Sequence, residues 1–232
     1  DQEITVLLPQ YQDEQMKQIV NDIISQYSKV SYKYIDVDIE AHCEKLIYAP
    51  SASIGGDHAN YVSSLDFIMP KRVANALYQY LYKPWMDRVG NLPVENTKLY
   101  LCRRGGRSLI NYREVEQYFR AKGFLLVDQQ LHLLPLDKKV ALFSRASVIV
   151  CNFGAASMNT LFAQPGTKVM MLTPMSRVDD GIYFMFNDSG LDILQVIGND
   201  CTSSPHTNYY ISIDTIDAAY NELINSEGSA RI

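Results

Sequence analysis

From Leu99 to Leu172 short apolar runs alternate with amphipathic stretches, and this rhythm restricts the fold more than any other feature of the chain. Leu99–Cys102 reads as a buried strand. Tyr112–Lys122 is amphipathic at helical spacing and stops at Gly123, a normal helix terminator. Phe124–Val127 is the next strand, Leu136–Arg145 the next helix, and Ser147–Cys151 a β-branched buried strand. Ala155–Phe162 predicts a short helix and Lys168–Leu172 a further strand. Strands separated by helices in this way require a parallel sheet covered on both faces. Nearer the end, Tyr209–Ile213 reads as a strand, and Asp214 is placed to cap a last helix over Thr215–Ile224.

The first part of the chain reads β-α-β-β. Ile4–Leu8 is an apolar run, and Met16, Ile19, Val20, Ile23, Ile24 and Tyr27 follow at helical spacing. Tyr32–Val37 alternates like a strand, and Glu44–Ala49 is a shorter candidate. Pro50 to Asn60 is a loop of small residues. Pro70 starts a long helical segment that Pro84 is placed to kink. Gly90-Asn91-Leu92-Pro93 breaks the pattern, so the expected domains are 1–92 and 93–232.

The chain has 232 residues with 47% hydrophobic and 20% charged, a globular composition. Its net charge of −5 gives no general attraction to nucleic acid or anionic lipid. An anion site must therefore be local, and the dense basic cluster is Arg103, Arg104 and Arg107. The four cysteines, Cys43, Cys102, Cys151 and Cys201, have no metal-binding spacing, which favours a reduced compartment. No run reaches the roughly 18–20 apolar residues of a membrane span.

Two loops carry the chemistry best. Asn152-Phe153-Gly154-Ala155-Ala156-Ser157 follows a strand and opens a helix, where small residues admit a ligand to unpaired amides. Arg103-Arg104-Gly105-Gly106-Arg107 also follows a strand, and guanidinium forks match phosphate oxygens. An ordinary tight turn and a solvated basic loop are the plainer readings of each. A third loop, Gly55 to Asn60, holds Asp57 and His58, which suit a general base or an ordinary surface loop. Asp36-Val37-Asp38 resembles a metal-binding D-x-D, but too little chain precedes it to build a nucleotide-binding half. Asp179-Asp180 is weaker, and His42, His132 and His206 are scattered without a zinc pattern.

Several blocks in register resemble glycosyltransferase family 61. Leu99-Tyr100-Leu101-Cys102-Arg103-Arg104, then Arg107, Asn111 and Glu114-Val115, resembles its "Y-I-S-R … R … N-E-x-E-V" block. Gly123-Phe124 with Val127 is similar to its "G-F-x-x-V" strand. Leu142-Phe143, Ala146, Val148-Ile149-Val150, Phe153-Gly154-Ala155, Asn159 and Phe162 follow its "L-F-x-x-A-x-V-I-V-G-x-H-G-A-G-L-x-N-x-x-F" block. Phe153 stands where that block has His, Ala156-Ser157 where it has Gly-Leu, and Tyr112 where the first block has Glu.

The resemblance implies an α/β, GT-B-like architecture. Two Rossmann-like domains would face a cleft, with a C-terminal helix placed to cross back. It implies inverting, metal-independent transfer from a nucleotide-sugar donor to a glycan acceptor, as in capsular or surface polysaccharide biosynthesis. No cofactor, metal or nucleic acid is expected. Arg103, Arg107, Asn111, Asn152, Phe153, Gly154, Ala155, Ser157 and Asn159 are the expected donor contacts, with Asp57 or His58 as base. The expected location is cytoplasmic, with peripheral membrane or biosynthetic-complex association open. A catalytically degenerate binding module and a pyruvyl-transferase-like enzyme are the alternatives.

Overall fold

The computed structural model describes residues 3–10, 14–36, 54–55, 67–68, 78–90, 93, 95–178, 182–183, 186–187, 189–204 and 206–226. The chain divides into two compact units, Asp1–Ser51 and Ala52–Ile232.

In the first unit, β1 (Ile4–Pro9) and β2 (Val30–Ile35) pair in parallel, joined through α1 (Glu14–Ile24). Leu8 sits opposite Tyr34, and the Thr5 and Ser31 hydroxyls meet across the pair at 3.1 Å. The expected strand Glu44–Ala49, Asp38 and the loop with Asp57 and His58 lie outside the described residues.

The second unit opens with a short antiparallel pair, β3 (Ile54–Gly55) and β4 (Phe67–Ile68). Tyr78–Tyr82 winds as a π-helix and passes into α2 (Lys83–Val89). Pro84 comes just after the π-helical turn, so it lacks the N–H that would bond back into that turn, and the winding changes from π to α there.

The main sheet contains β5 (Thr97–Leu101), β6 (Leu125–Val127), β7 (Ala146–Asn152), β8 (Lys168–Pro174), β9 (Asp192–Asp200) and β10 (Tyr209–Tyr210). Its order is β10-β9-β8-β7-β5-β6. All neighbours are parallel except β10, which runs antiparallel to β9. Side chains alternate between faces along a strand. Tyr100, Val150, Met170 and Leu172 pack in one core with Phe119 of α3 (Tyr112–Ala121) and Ile216, Tyr220 and Leu223 of α5 (Ile213–Asn225). Leu99, Ile149, Val169 and Met171, of opposite parity, are also fully buried. α4 (Leu136–Ser144) packs against α2 and against the helix Ala155–Phe162, with Val140 and Phe143 inaccessible. A sheet buried on both faces explains why β7 and β8 read as continuous apolar runs.

The short helix expected over Ala155–Phe162 is present and winds as 3₁₀. Two details differ from the sequence expectation. The nine-residue β9 has no counterpart in it. The cap of α5 is Ser212, whose hydroxyl accepts from the Thr215 amide at 3.1 Å, while Asp214 sits inside the first turn.

Gly198 of β9 lets the returning chain cross closely. A Cβ there would lie 2.5 Å from Tyr209 Cδ2, 2.6 Å from Ile211 Cγ1 and 2.9 Å from the Tyr210 carbonyl. Gly198→Ala is expected to cost about 1–3 kcal/mol by overpacking. Urea unfolding measures it, and an unchanged midpoint would show that the crossing has slack.

The strand order also fixes where a ligand fits. From β5 the chain moves one way to β6 and the other way to β7, β8 and β9. The order therefore reverses between β5 and β7, and open parallel sheets bind ligands at such a reversal, beyond the carboxyl ends of the strands.

Candidate functional site

A cleft of about 390 Å³ opens at this reversal. It is lined by Leu101, Cys102, Arg103 and Arg104 after β5, by Val127 and Asp128 at the end of β6, and by Asn152, Ala155, Ala156 and Asn159 after β7. The two loops chosen from the sequence meet here. The Arg103 guanidinium lies directly against Gly154, and a Cβ on Gly154 would collide with it. Arg103 is aimed by its own loop, since Nε donates to the Gly106 carbonyl at 2.8 Å.

Arg104 is held differently. It pairs with Glu116 and stacks on Tyr112 at 4.1 Å from the ring centre, so α3 takes up its charge. Arg107 does not line the cleft. Its guanidinium sits 5.9 Å from the Phe153 ring, and its amide donates to the His206 carbonyl at 3.2 Å. Burial lowers the Arg107 pKa first, followed by the nearby charges of Arg103 and Arg177. Arg177 ends the 3₁₀ turn Met175–Arg177 after β8. Arg103 and Arg177, from two different strand ends, thus both lie within electrostatic range of Arg107.

Arg107 is also backbone-strained, with φ of 60°. That left-handed conformation suits glycine better than any L side chain. Arg107→Gly is therefore expected to be more stable than Arg107→Ala by roughly 1 kcal/mol, with both weaker in anion binding than the parent. Thermal unfolding with and without nucleotide tests this. Equal stabilities for the two variants would contradict the strain.

The turn after β7 is built mostly from its own side chains. Asn152 is buried, and its Nδ2 donates to the Leu101 carbonyl at 3.1 Å and to the Tyr100 hydroxyl at 3.4 Å. Its Oδ1 accepts from the Tyr209 hydroxyl at 2.8 Å. It therefore stitches β5, β7 and β10 together at the cleft floor. Ser157 is inaccessible, and its hydroxyl donates to the Gly154 carbonyl at 2.7 Å, closing the turn. Asn159 donates to the Ala156 carbonyl at 2.9 Å on the cleft wall. Ala155 and Ala156 are exposed, and first-turn amides like theirs lie before a helix's internal bonds begin. Phe153 is buried and is not among the residues that line the cleft.

Asn111 stands apart from the cleft. Its Nδ2 donates to the Ile211 carbonyl at 2.9 Å, tying the start of α3 to the segment before α5. Asp57 and His58 lie outside the described residues.

Two polar lining residues, Asp128 and Lys139, were not weighed from the sequence, and His132, set aside there as scattered, lines the cleft as well; Asp128 and His132 follow β6, and Lys139 enters from α4. Lys139 is only 7% exposed, with Nζ 3.5 Å from the His132 carbonyl. A polar residue just past a strand end is the available signal for Asp128. Lys139 directly follows Asp137 and Lys138, so nothing in the sequence separates it from a solvated face. Cys102 also lines the cleft, but burial, then Glu116, pushes its thiol up to about 12, so it stays protonated and non-nucleophilic at neutral pH.

A sequence model of the family described as Glycosyltransferase 61 matches residues 5–170, more than half of the chain. The match spans both loops of the cleft and stops short of Arg177. No curated protein matches the chain. Among the described residues no helix is long and apolar enough to cross a membrane.

Proposed function

The chain belongs to glycosyltransferase family 61, and on that premise we propose that the cleft between the ends of β5 and β7 holds the phosphate of a nucleotide-sugar donor. The enzyme is a glycosyltransferase, so it needs a donor with a leaving group and an acceptor. The observation that carries the reading is the Arg103 guanidinium packed on Gly154 at the sheet's reversal point.

In the proposed reaction an acceptor hydroxyl oxygen attacks the anomeric carbon from the face opposite the phosphate. The new C–O bond forms as the bond to the phosphate oxygen breaks, which inverts the anomeric centre. The hydroxyl proton passes to a base, proposed as Asp57 or His58. The negative charge leaving with the phosphate is met by Arg103, by amides at Ala155 and Ala156, and at longer range by Arg107 and Arg177. Charge held in place before the reaction begins is commonly what lowers an enzymatic barrier most. It performs the neutralisation that other transferases obtain from a divalent cation, so no metal is proposed.

Within the same proposal, residues 1–92 supply the acceptor side of a GT-B arrangement and residues 93–232 the donor side. The acceptor is a glycan of the capsular or surface polysaccharide kind, and the enzyme works in the cytoplasm or at the inner membrane face. Asn152 and Ser157 shape the turn and do not contact donor. Their hydrogen bonds inside the fold support that division.

A second reading, a binding module without turnover, has one supporting observation. Phe153 occupies the place of the family's imidazole and lies under Arg107, where no side-chain hydrogen bond to donor can form. A thermal-shift panel of UDP, GDP, CMP and their sugars tests the site. One nucleotide series is expected to raise the melting temperature with concentration, as ligands of a native state do. No shift with any of them would remove the donor site. Released free nucleotide then separates an enzyme from a binding module.

A further inference from the structure

The two loops that wall the cleft are both held by one segment near the end of the chain. Residues 206–209 return beside the arginine loop and run along it. The Arg107 amide donates to the His206 carbonyl at 3.2 Å. The Ser108 amide donates to Asn208 Oδ1 at 3.1 Å. The Tyr209 amide donates to the Ser108 carbonyl at 3.1 Å, and the Ile110 amide to the Tyr209 carbonyl at 2.9 Å. Within the loop, the Ser108 hydroxyl donates to the Gly105 carbonyl at 2.7 Å and Arg103 Nε to the Gly106 carbonyl at 2.8 Å. Bonds therefore connect residues 206–209 to the guanidinium that packs on Gly154.

The Tyr209 side chain holds the opposite wall. Its ring lies against Gly198 of β9, where a Cβ would come 2.5 Å from Cδ2. Crossing there, it carries its hydroxyl past β8 to β7, 2.9 Å from the Leu172 carbonyl and 2.8 Å from Asn152 Oδ1. A phenol has one proton to give. The Leu172 carbonyl already accepts from the Phe153 amide at 2.9 Å. Asn152 Nδ2 spends its two hydrogens on the Leu101 carbonyl and the Tyr100 hydroxyl, so its Oδ1 depends on Tyr209. The proton therefore belongs to Asn152. Burial holds the Tyr209 phenol well above its ordinary pKa, which keeps it a donor at neutral pH. Both side chains are buried, so water does not replace a lost bond. Residues 206–209 also lie beyond the part of the chain that the family model matches.

Resting on the donor-site reading above, we propose that Tyr209 is a positioning residue for sugar transfer. Its backbone is bonded to the arginine loop and its hydroxyl to Asn152 below the Gly154 turn, so it sets the separation of Arg103 from the amides at Ala155 and Ala156. It touches neither donor nor acceptor. Groups that meet a developing charge act best when fixed beforehand. Misplacing such groups by about 1 Å costs on the order of a hundredfold in rate.

Tyr209→Phe keeps the ring and the backbone bonds and removes only the hydroxyl. Calorimetric titration of the whole chain with UDP, GDP and CMP reads the effect. Tyr209→Phe is expected to weaken the best-binding nucleotide about tenfold, a coupling usual within one hydrogen-bond network. In the Arg103→Ala background the same change is expected to cost less than about twofold, because no guanidinium is left to misplace. Tyr210→Phe, at the exposed neighbouring position, is expected to leave affinity unchanged. Amide exchange without nucleotide gives a second reading, with faster exchange expected at residues 153–157 in Tyr209→Phe. Undiminished affinity in Tyr209→Phe, equal losses in both Arg103 backgrounds, or unchanged exchange at the turn overturns the positioning role and leaves the donor site in place. Failure of all three nucleotides to bind the parent overturns the donor site, and the positioning role with it.

Discussion

Arg103→Ala is expected to abolish sugar transfer and to weaken nucleotide binding by on the order of a hundredfold, the loss of a forked, charge-assisted contact. The fold should tolerate the change, because Arg103 follows β5 on a loop and its Nε bonds to the Gly106 carbonyl within that loop. Arg104→Ala is the informative comparison. Arg104 is already paired with Glu116 and stacked on Tyr112, so its removal acts first on α3 packing and only weakly on nucleotide. Titration of both variants with the nucleotide that stabilises the parent most decides between the two arginines. Undiminished affinity in Arg103→Ala would place the phosphate elsewhere.

Gly154→Ala should be nearly as damaging, by a different route. The backbone there has φ of 150°, which L side chains rarely adopt, and an added Cβ meets the Arg103 guanidinium. Either the guanidinium leaves the cleft or the turn shifts, so nucleotide affinity falls and stability drops by about 1–3 kcal/mol. Gly123→Ala serves as a control. Its φ of 82° imposes strain, but nothing lies within 4 Å of a Cβ there. It is expected to lose about 1 kcal/mol of stability with nucleotide affinity intact. A double-mutant cycle sharpens the point, because removing the Arg103 side chain removes the atom that clashes. Gly154→Ala should cost less in the Arg103→Ala background than in the parent. Equal costs in both backgrounds would mean that the two residues do not touch in solution.

Much of the parallel sheet was legible because its strands announce themselves. β7 and β8 are apolar runs, and α3 ends at a glycine with positive φ. β9 was not legible. Gln195, Gly198 and the flanking Asp192 and Asp200 break up its apolar residues, and Gly198 is there because Tyr209 and Ile211 cross over it. Cys151 is fully buried in β7, whereas Cys102 is half-buried and lines the cleft.

The loops of the cleft were visible because each follows a strand. The roles of single side chains within them were not. Sequence cannot tell whether an asparagine or serine at a turn faces a ligand or closes the turn, and Asn152 and Ser157 turn inward. Asn111 belongs to a helix start that reaches Ile211. Asp128 and Lys139 reach the cleft, and Arg177 comes near Arg107, through strand order, a non-local property that spacing along the chain does not encode.

The most direct measurement is a crystal structure of the chain grown with the nucleotide that gives the largest thermal shift. Phosphate oxygens within hydrogen-bonding distance of the Arg103 guanidinium and the Ala155 amide are the expected result. A nucleotide found instead in the cavity by Lys168, Asp192 and Leu223, at the amino ends of β8 and β9, would contradict the proposed site.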